Sequence, residues 1–116
     1  MATQETCTWT GASGKQYLYY VFPRHPVIND GQDGNYVYAK KNLQGQWVPV
    51  YFGQGDLSKR ATPDHHRIGC IDTKSATHVH LRLNATKTDR LAEEQDLLGH
   101  YTNAYAPHGC NVKLGG

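Results

Sequence analysis

Cysteine is scarce in this chain and odd in number. Cys7, Cys70 and Cys110 lie far apart and form no Cys-x-x-Cys pair, a pattern that argues against a disulfide framework and fits a reducing cytoplasm. No apolar run approaches the length of a membrane span. The opening "MATQETCTWTGASGK" has neither the basic nor the apolar stretch of a secretory signal, so a cytoplasmic protein without a membrane partner is expected. On that expectation the glycosylation-like "NAT" at 84–86 is coincidence. A net charge of only +2 does not announce nucleic acid; a basic surface would have to come from local clustering of Lys, Arg and the seven His. Phe, Met and Trp are few as well, whereas Gly (12) and Tyr (8) are abundant. Many tyrosines mean many aromatic surfaces with a polar tip, suited to wet sites. At 116 residues the chain suffices for one domain with a modest core.

Residues 1–15 are polar and read as a loose lead-in to a single domain over 16–116. "QYLYYVFP" (16–23) reads as a strand stopped by Pro23, and 24–34 as loop. Strands over 35–41 and 46–54, joined by "NLQG", predict an antiparallel hairpin. A short helix from Asp56, a restart at Pro63, the strand "HVHLRLN" and a long helix from about Asp89 to Tyr105 complete the pattern. The fold class is α+β: a small antiparallel or mixed sheet of three to four strands, flanked by helices. Alternation puts Val37 and Ala39 on one face and Tyr36 and Tyr38 on the other. In the next strand Val48, Val50 and Phe52 should oppose Trp47, Tyr51 and Gly53, with Pro49 favouring an edge or a bulge. "THVHLRL" sets Val79, Leu81 and Leu83 against His78, His80 and Arg82, the signature of a sheet with one wet face.

On the long helix, Leu91, Leu98, Tyr101 and Tyr105 form an apolar stripe at about 100° per residue. Glu94 falls inside that stripe, while Glu93 and Asp96 point toward solvent. An inward carboxylate is costly unless a cation or hydrogen-bond donors meet it. A structural partner such as an Arg and a functional cation both remain open.

These elements resemble the GIY-YIG nuclease family. "NYVYA" is similar to its first motif, with Tyr38 in the tyrosine position and Tyr36 and Val37 where Gly and Ile are usual. "VYFGQGDLSKR" is similar to the second, through Tyr51, Gly53 and then Arg60. Glu94 with Leu97 and Leu98 resembles the family's later Glu motif, and "PHGCN" its closing signature at Asn111. The resemblance implies a β-β-α-β-α core with an extra N-terminal strand, and an endonuclease that hydrolyses DNA phosphodiester bonds with one Mg²⁺ or Mn²⁺ held by Glu94. Tyr38 would take or relay the proton from water, with Tyr51 as its partner and His65, or else His66, shuttling the proton. Arg60 would offer planar donors to phosphate oxygens in a way that the neighbouring Lys59 could not. Gly53 would permit a tight turn and close phosphate approach, unless it is an ordinary strand-end glycine. Asn111 would tie the chain terminus to the site rather than touch substrate.

With no room for a separate reader domain, the implied partner is DNA recognised by shape, branched or structured, or a protein that lends specificity. Two other readings stand beside this one. One is a catalytically silent nucleic-acid-binding or protein-interaction domain on the same fold. The other is a zinc module using His65, His66, Cys70, His108 and Cys110, although neither "HHRIGC" nor "HGC" has closed zinc-finger spacing.

Overall fold

The computed structural model describes residues 4–112; the first three residues of the expected lead-in and the last four of the expected domain lie outside it. Five strands form one antiparallel sheet: β1 (Thr6–Thr10), β2 (Gln16–Pro23), β3 (Asp33–Lys41), β4 (Trp47–Asp56) and β5 (His78–Leu83), in the spatial order β1-β2-β5-β3-β4. Three helices accompany it, α1 (Leu57–Arg60), α2 (Ile68–Thr73) and α3 (Lys87–His100). The class is therefore α+β with one more strand than expected. The addition is β1, which lies within the segment read as loose and buries Trp9.

Local chemistry explains most boundaries. In the β3–β4 turn the Asn42 side chain accepts from the Gln44 and Gln46 N–H groups, and Gly45 takes a positive φ of 78° that only glycine adopts cheaply. Asp56 caps α1 by accepting from the Ser58 N–H at 3.0 Å. α3 ends at His100, where a 3-10 turn (Thr102–Ala104) takes over, so the expected helix to Tyr105 is one turn too long.

Both sheet faces carry a core. Under α3 lie Trp9, Tyr19, Val37, Phe52 and Leu97; under α1 and α2 lie Tyr36, Tyr38, Val50, Leu57 and Ile71. Val37 and Ala39 oppose Tyr36 and Tyr38, as the alternation predicts. Val50 and Phe52 do not share a face, because the β3–β4 pairing shifts between Tyr38 and Ala39: Tyr38 faces Tyr51 and Ala39 faces Pro49. Val50 is the extra residue of a bulge beside Pro49, on an edge strand.

The histidine face of β5 is not wet. His80 is fully buried, accepts from the Trp9 indole at 3.0 Å and packs edge-to-face on Trp47. The stripe on α3 is also turned from the expected one. Leu91 is 39% exposed, whereas Arg90, Glu93 and Leu97 are buried. Glu93, expected in solvent, accepts from Arg82 Nε at 3.0 Å, Asn84 Nδ2 at 3.3 Å and the Tyr19 hydroxyl.

Cys70 and Cys110 form a disulfide with a Cα–Cα distance of 5.8 Å. This overturns the expectation of unpaired cysteines and removes the basis of the argument for a reducing compartment. It also spends two of the five ligands expected for a zinc module on the crosslink. No group of three His, Cys, Asp or Glu side chains among the described residues could hold a metal ion. No described helix is long and apolar enough to cross a membrane.

Candidate active site

The site gathers where β4 forms the sheet edge. Tyr36 on β3 pairs with Gly53 on β4, and the phenol of Tyr36 lies across that glycine, where any Cβ would strike the ring. Gly53 is thus neither a turn residue nor a strand end; its missing side chain is the bed for Tyr36. Beyond it Tyr51 stacks on Tyr36, with ring centroids 6.1 Å apart, and the His65 ring closes on Tyr51 at 4.7 Å. His66 in turn stacks on His65 at 4.5 Å.

The hydrogen bonds among these rings have a direction. The Arg67 backbone N–H donates to His65 Nδ1 at 2.9 Å. Burial first, then the charges of His66, Arg60 and Arg67, hold the His65 pKa down to about 4, so the ring is neutral near pH 7. A neutral imidazole whose Nδ1 accepts must carry its proton on Nε2. That Nε2 lies 2.7 Å from the Tyr36 oxygen and donates to it. The Tyr36 hydroxyl proton is then free to face Tyr51, whose ring stacks on Tyr36 and whose phenolate Tyr36 favours. One hydrogen-bonded chain therefore runs from the backbone of residue 67 through His65 to Tyr36, on which Tyr51 stacks.

Tyr51 sits at the wet end of this group. It borders an open cleft of about 780 Å³ whose walls include His66, Arg67, Glu94, Leu98 and Asn111. Burial raises the pKa of Tyr51, and Glu94 raises it further; Arg60, Arg67 and the Tyr36 hydrogen bond act in the opposite sense. Glu94 is half-buried, and burial lifts its carboxyl to about 7 against the lowering influence of Arg60. Among the described residues Glu94 takes no hydrogen bond and no ion pair. Arg60, exposed at the end of α1, is likewise unpaired among them, and its charge is felt by Tyr36, Tyr51, His65 and Glu94.

Of the residues expected at the site, Tyr51, Arg60, His65, His66 and Glu94 are brought together. The Tyr38 ring packs on His65 at 5.7 Å and on Tyr36 at 5.9 Å, but its hydroxyl is turned to another partner. Its hydroxyl meets His25 Nε2 at 3.0 Å, and its pKa, pushed up to about 12 chiefly by burial, responds to Arg24 and Asp72 instead of Arg60 and Glu94. Lys59 is exposed, and its charge bears on Asp56. The Asn111 side chain is committed to the backbone of Phe52, accepting from its N–H and donating to its C=O, both at 2.9 Å, and so anchors the chain at the wall of the cleft.

Sequence reasoning missed Tyr36 and Arg67. For Tyr36 a signal existed: alternation sets it on the same face of β3 as Tyr38, and Gly53 lies opposite it in the hairpin. For Arg67 there was none, because its neighbours at the cleft come from α3 and the C-terminal segment. No protein-family model, curated protein or solved structure matches this chain.

Proposed function

We propose that the cleft hydrolyses phosphodiester bonds in DNA, as a metal-dependent endonuclease with Tyr51 as general base. The observation that carries this reading is the directed chain through His65 to Tyr36, with Tyr51 stacked on it in a cleft that also holds Glu94 and Arg67. A tyrosine is a poor base unless its phenolate is favoured. Burial and Glu94 oppose it and hold the Tyr51 pKa above its ordinary value, while Arg60, Arg67 and Tyr36 act to favour it. Neutralising Glu94 would therefore ease ionisation of Tyr51, which couples the state of the carboxylate to that of the base.

Glu94 suits one hard cation: a half-buried carboxylate without a partner, open to a cleft in which water and phosphate oxygens can fill the other positions. When bound, Mg²⁺ or Mn²⁺ supplies Lewis-acid stabilisation of charge on the phosphate oxygens. Arg60 presents a guanidinium fork to the non-bridging oxygens as charge gathers on them. Tyr51 accepts the proton of the attacking water. Tyr36 and His65, fixed to each other by a hydrogen bond, hold the phenol in register by packing on its ring.

The test is nicking of supercoiled plasmid and of branched DNA with Mg²⁺ or Mn²⁺. Tyr51→Phe, Arg60→Ala and Glu94→Ala should each lower the rate by about 10²-fold or more, and Tyr38→Phe should not. Cleavage unaffected by Arg60→Ala and Glu94→Ala would remove this site. Absence of cleavage on every substrate would leave the silent nucleic-acid-binding domain as the better reading.

A further inference from the structure

Arg67 is a junction that the proposed chemistry at the scissile phosphate does not use in full. Its backbone N–H sets the tautomer of His65, and its side-chain Nε donates to the Cys110 carbonyl at 2.9 Å. Cys110 is held in turn by its own N–H, which donates to the Val50 carbonyl at 2.8 Å, and by the disulfide to Cys70 on α2. The Arg67 guanidinium is thus fixed at one nitrogen. Its two terminal nitrogens meet no partner among the described residues, on a wall of the cleft that also holds Tyr51 and Glu94. A guanidinium that is aimed, half-buried and unpaired is an anion site.

A single reacting phosphate is already served by Arg60. Arg67 comes from a different element, the residue preceding α2, while Arg60 closes α1. We propose that Arg67 grips the phosphate next to the scissile one, aimed by the Cys70–Cys110 crosslink, so that the substrate is a strand with at least two successive phosphates. This rests on the nuclease reading of the cleft. Cys7 is no exchange partner for the crosslink: burial first, then Glu5, raises its thiol to about 11, which leaves it protonated and inert.

Two substrates separate the possibilities: a duplex oligonucleotide, and bis(4-nitrophenyl) phosphate, a diester with one phosphate. Arg67→Ala should raise KM for the oligonucleotide about tenfold and leave KM for the single diester alone, while loss of its charge near Tyr51 lowers kcat by one common factor on both. The slope of log Kd against log salt for the oligonucleotide, measured with Ca²⁺, should flatten by about 0.9, one phosphate contact. The Cys70→Ser/Cys110→Ser double variant should reproduce both effects, and adding Arg67→Ala to it should cost little more. If that variant does not fold, Arg67→Lys serves instead, because it keeps the charge but has no Nε–H for Cys110; it should raise the same KM. Equal rises of KM on both substrates, no rise on either, or additivity with the crosslink variants would overturn the proposal. If the wild type cleaves and Arg67→Ala is unaltered, this inference alone falls; if the wild type cleaves neither substrate, the nuclease reading falls with it.

Discussion

Replacing Gly53 by alanine tests the centre of the site without assuming any activity. A Cβ at this position would lie within 3.0 Å of three atoms of the Tyr36 phenol, far inside contact distance. The ring has no easy retreat: it is packed by Tyr38 at 5.9 Å and Tyr51 at 6.1 Å, and its hydroxyl is held by His65 at 2.7 Å. Overpacking of this kind costs about 1–3 kcal/mol. Loss of the buried Tyr36–His65 hydrogen bond adds roughly 1 kcal/mol. The expected loss is therefore about 2–4 kcal/mol, which for a chain of this length lowers Tm by roughly 8–16 °C. Thermal and urea unfolding of Gly53→Ala measure it directly. The decisive comparison is the same substitution in a Tyr36→Ala background, where the ring is gone and the added methyl has space. There the cost should vanish, since alanine is otherwise no worse than glycine in a strand. A stable Gly53→Ala protein, or an equal cost in both backgrounds, would show that Tyr36 does not lie across β4.

Other outcomes follow from the same geometry. His65 has a folded pKa of about 4 against an ordinary 6.5, so the native state disfavours its protonation; its contribution is intact above pH 6.5 and is lost as pH falls toward 4. His65→Gln should flatten the stability–pH curve over that interval. Glu94 acts in the opposite direction, because its folded pKa is raised from 4.5 to about 7 and stability falls as pH rises between those values. Glu94→Gln should therefore gain on the wild type by more at pH 8 than at pH 4, as followed by urea unfolding at both. Asn111→Ala strips the N–H and C=O of Phe52 of their partners. At roughly 1–3 kcal/mol for each buried group left unpaired, it should lower Tm by several degrees or more; unchanged Tm would mean that water replaces the anchor without loss.

Local signals carried much of the fold. "NLQG" made the hairpin legible because Asn and Gly have reasons to sit in a tight turn, and Asp56 announced α1 because its carboxylate can cap. What failed depended on partners distant in sequence. β1 hid behind the threonines of "TCTWT", and only packing against His80 and α3 shows why Trp9 is buried. The face of α3 was misjudged by about one residue because its buried side includes Arg90 and Glu93, which a hydrophobicity pattern counts as exposed. Both are satisfied by groups brought from elsewhere: Gln54 and the carbonyls of Asn84 and Ala85 for Arg90, and Tyr19, Arg82 and Asn84 for Glu93. Two neighbouring carboxylates of α3 are thus turned inward, where each needs a partner. Glu93 has found its partners within the fold; Glu94 has not.

The position of the site follows from how the sheet protects its edge. β4 presents unpaired backbone groups on its outer side, a standing hazard for any edge strand. The bulge at Val50 turns one carbonyl out of the ladder, and the Cys110 N–H takes it at 2.8 Å. Two residues further, the Asn111 side chain takes both backbone groups of Phe52. Residues 110–111 thus stand in for a sixth strand only where it is needed, and the disulfide pins this substitute to α2. A full strand would have covered the edge entirely; this partial one leaves Tyr51 at the floor of a cleft, between α3 and the start of α2. The same device therefore closes the edge and opens the pocket. Perturbing the crosslink should accordingly disturb binding in the cleft before it disturbs the core beneath α3, which rests on Leu97, Trp9 and Phe52 and borrows nothing from Cys110.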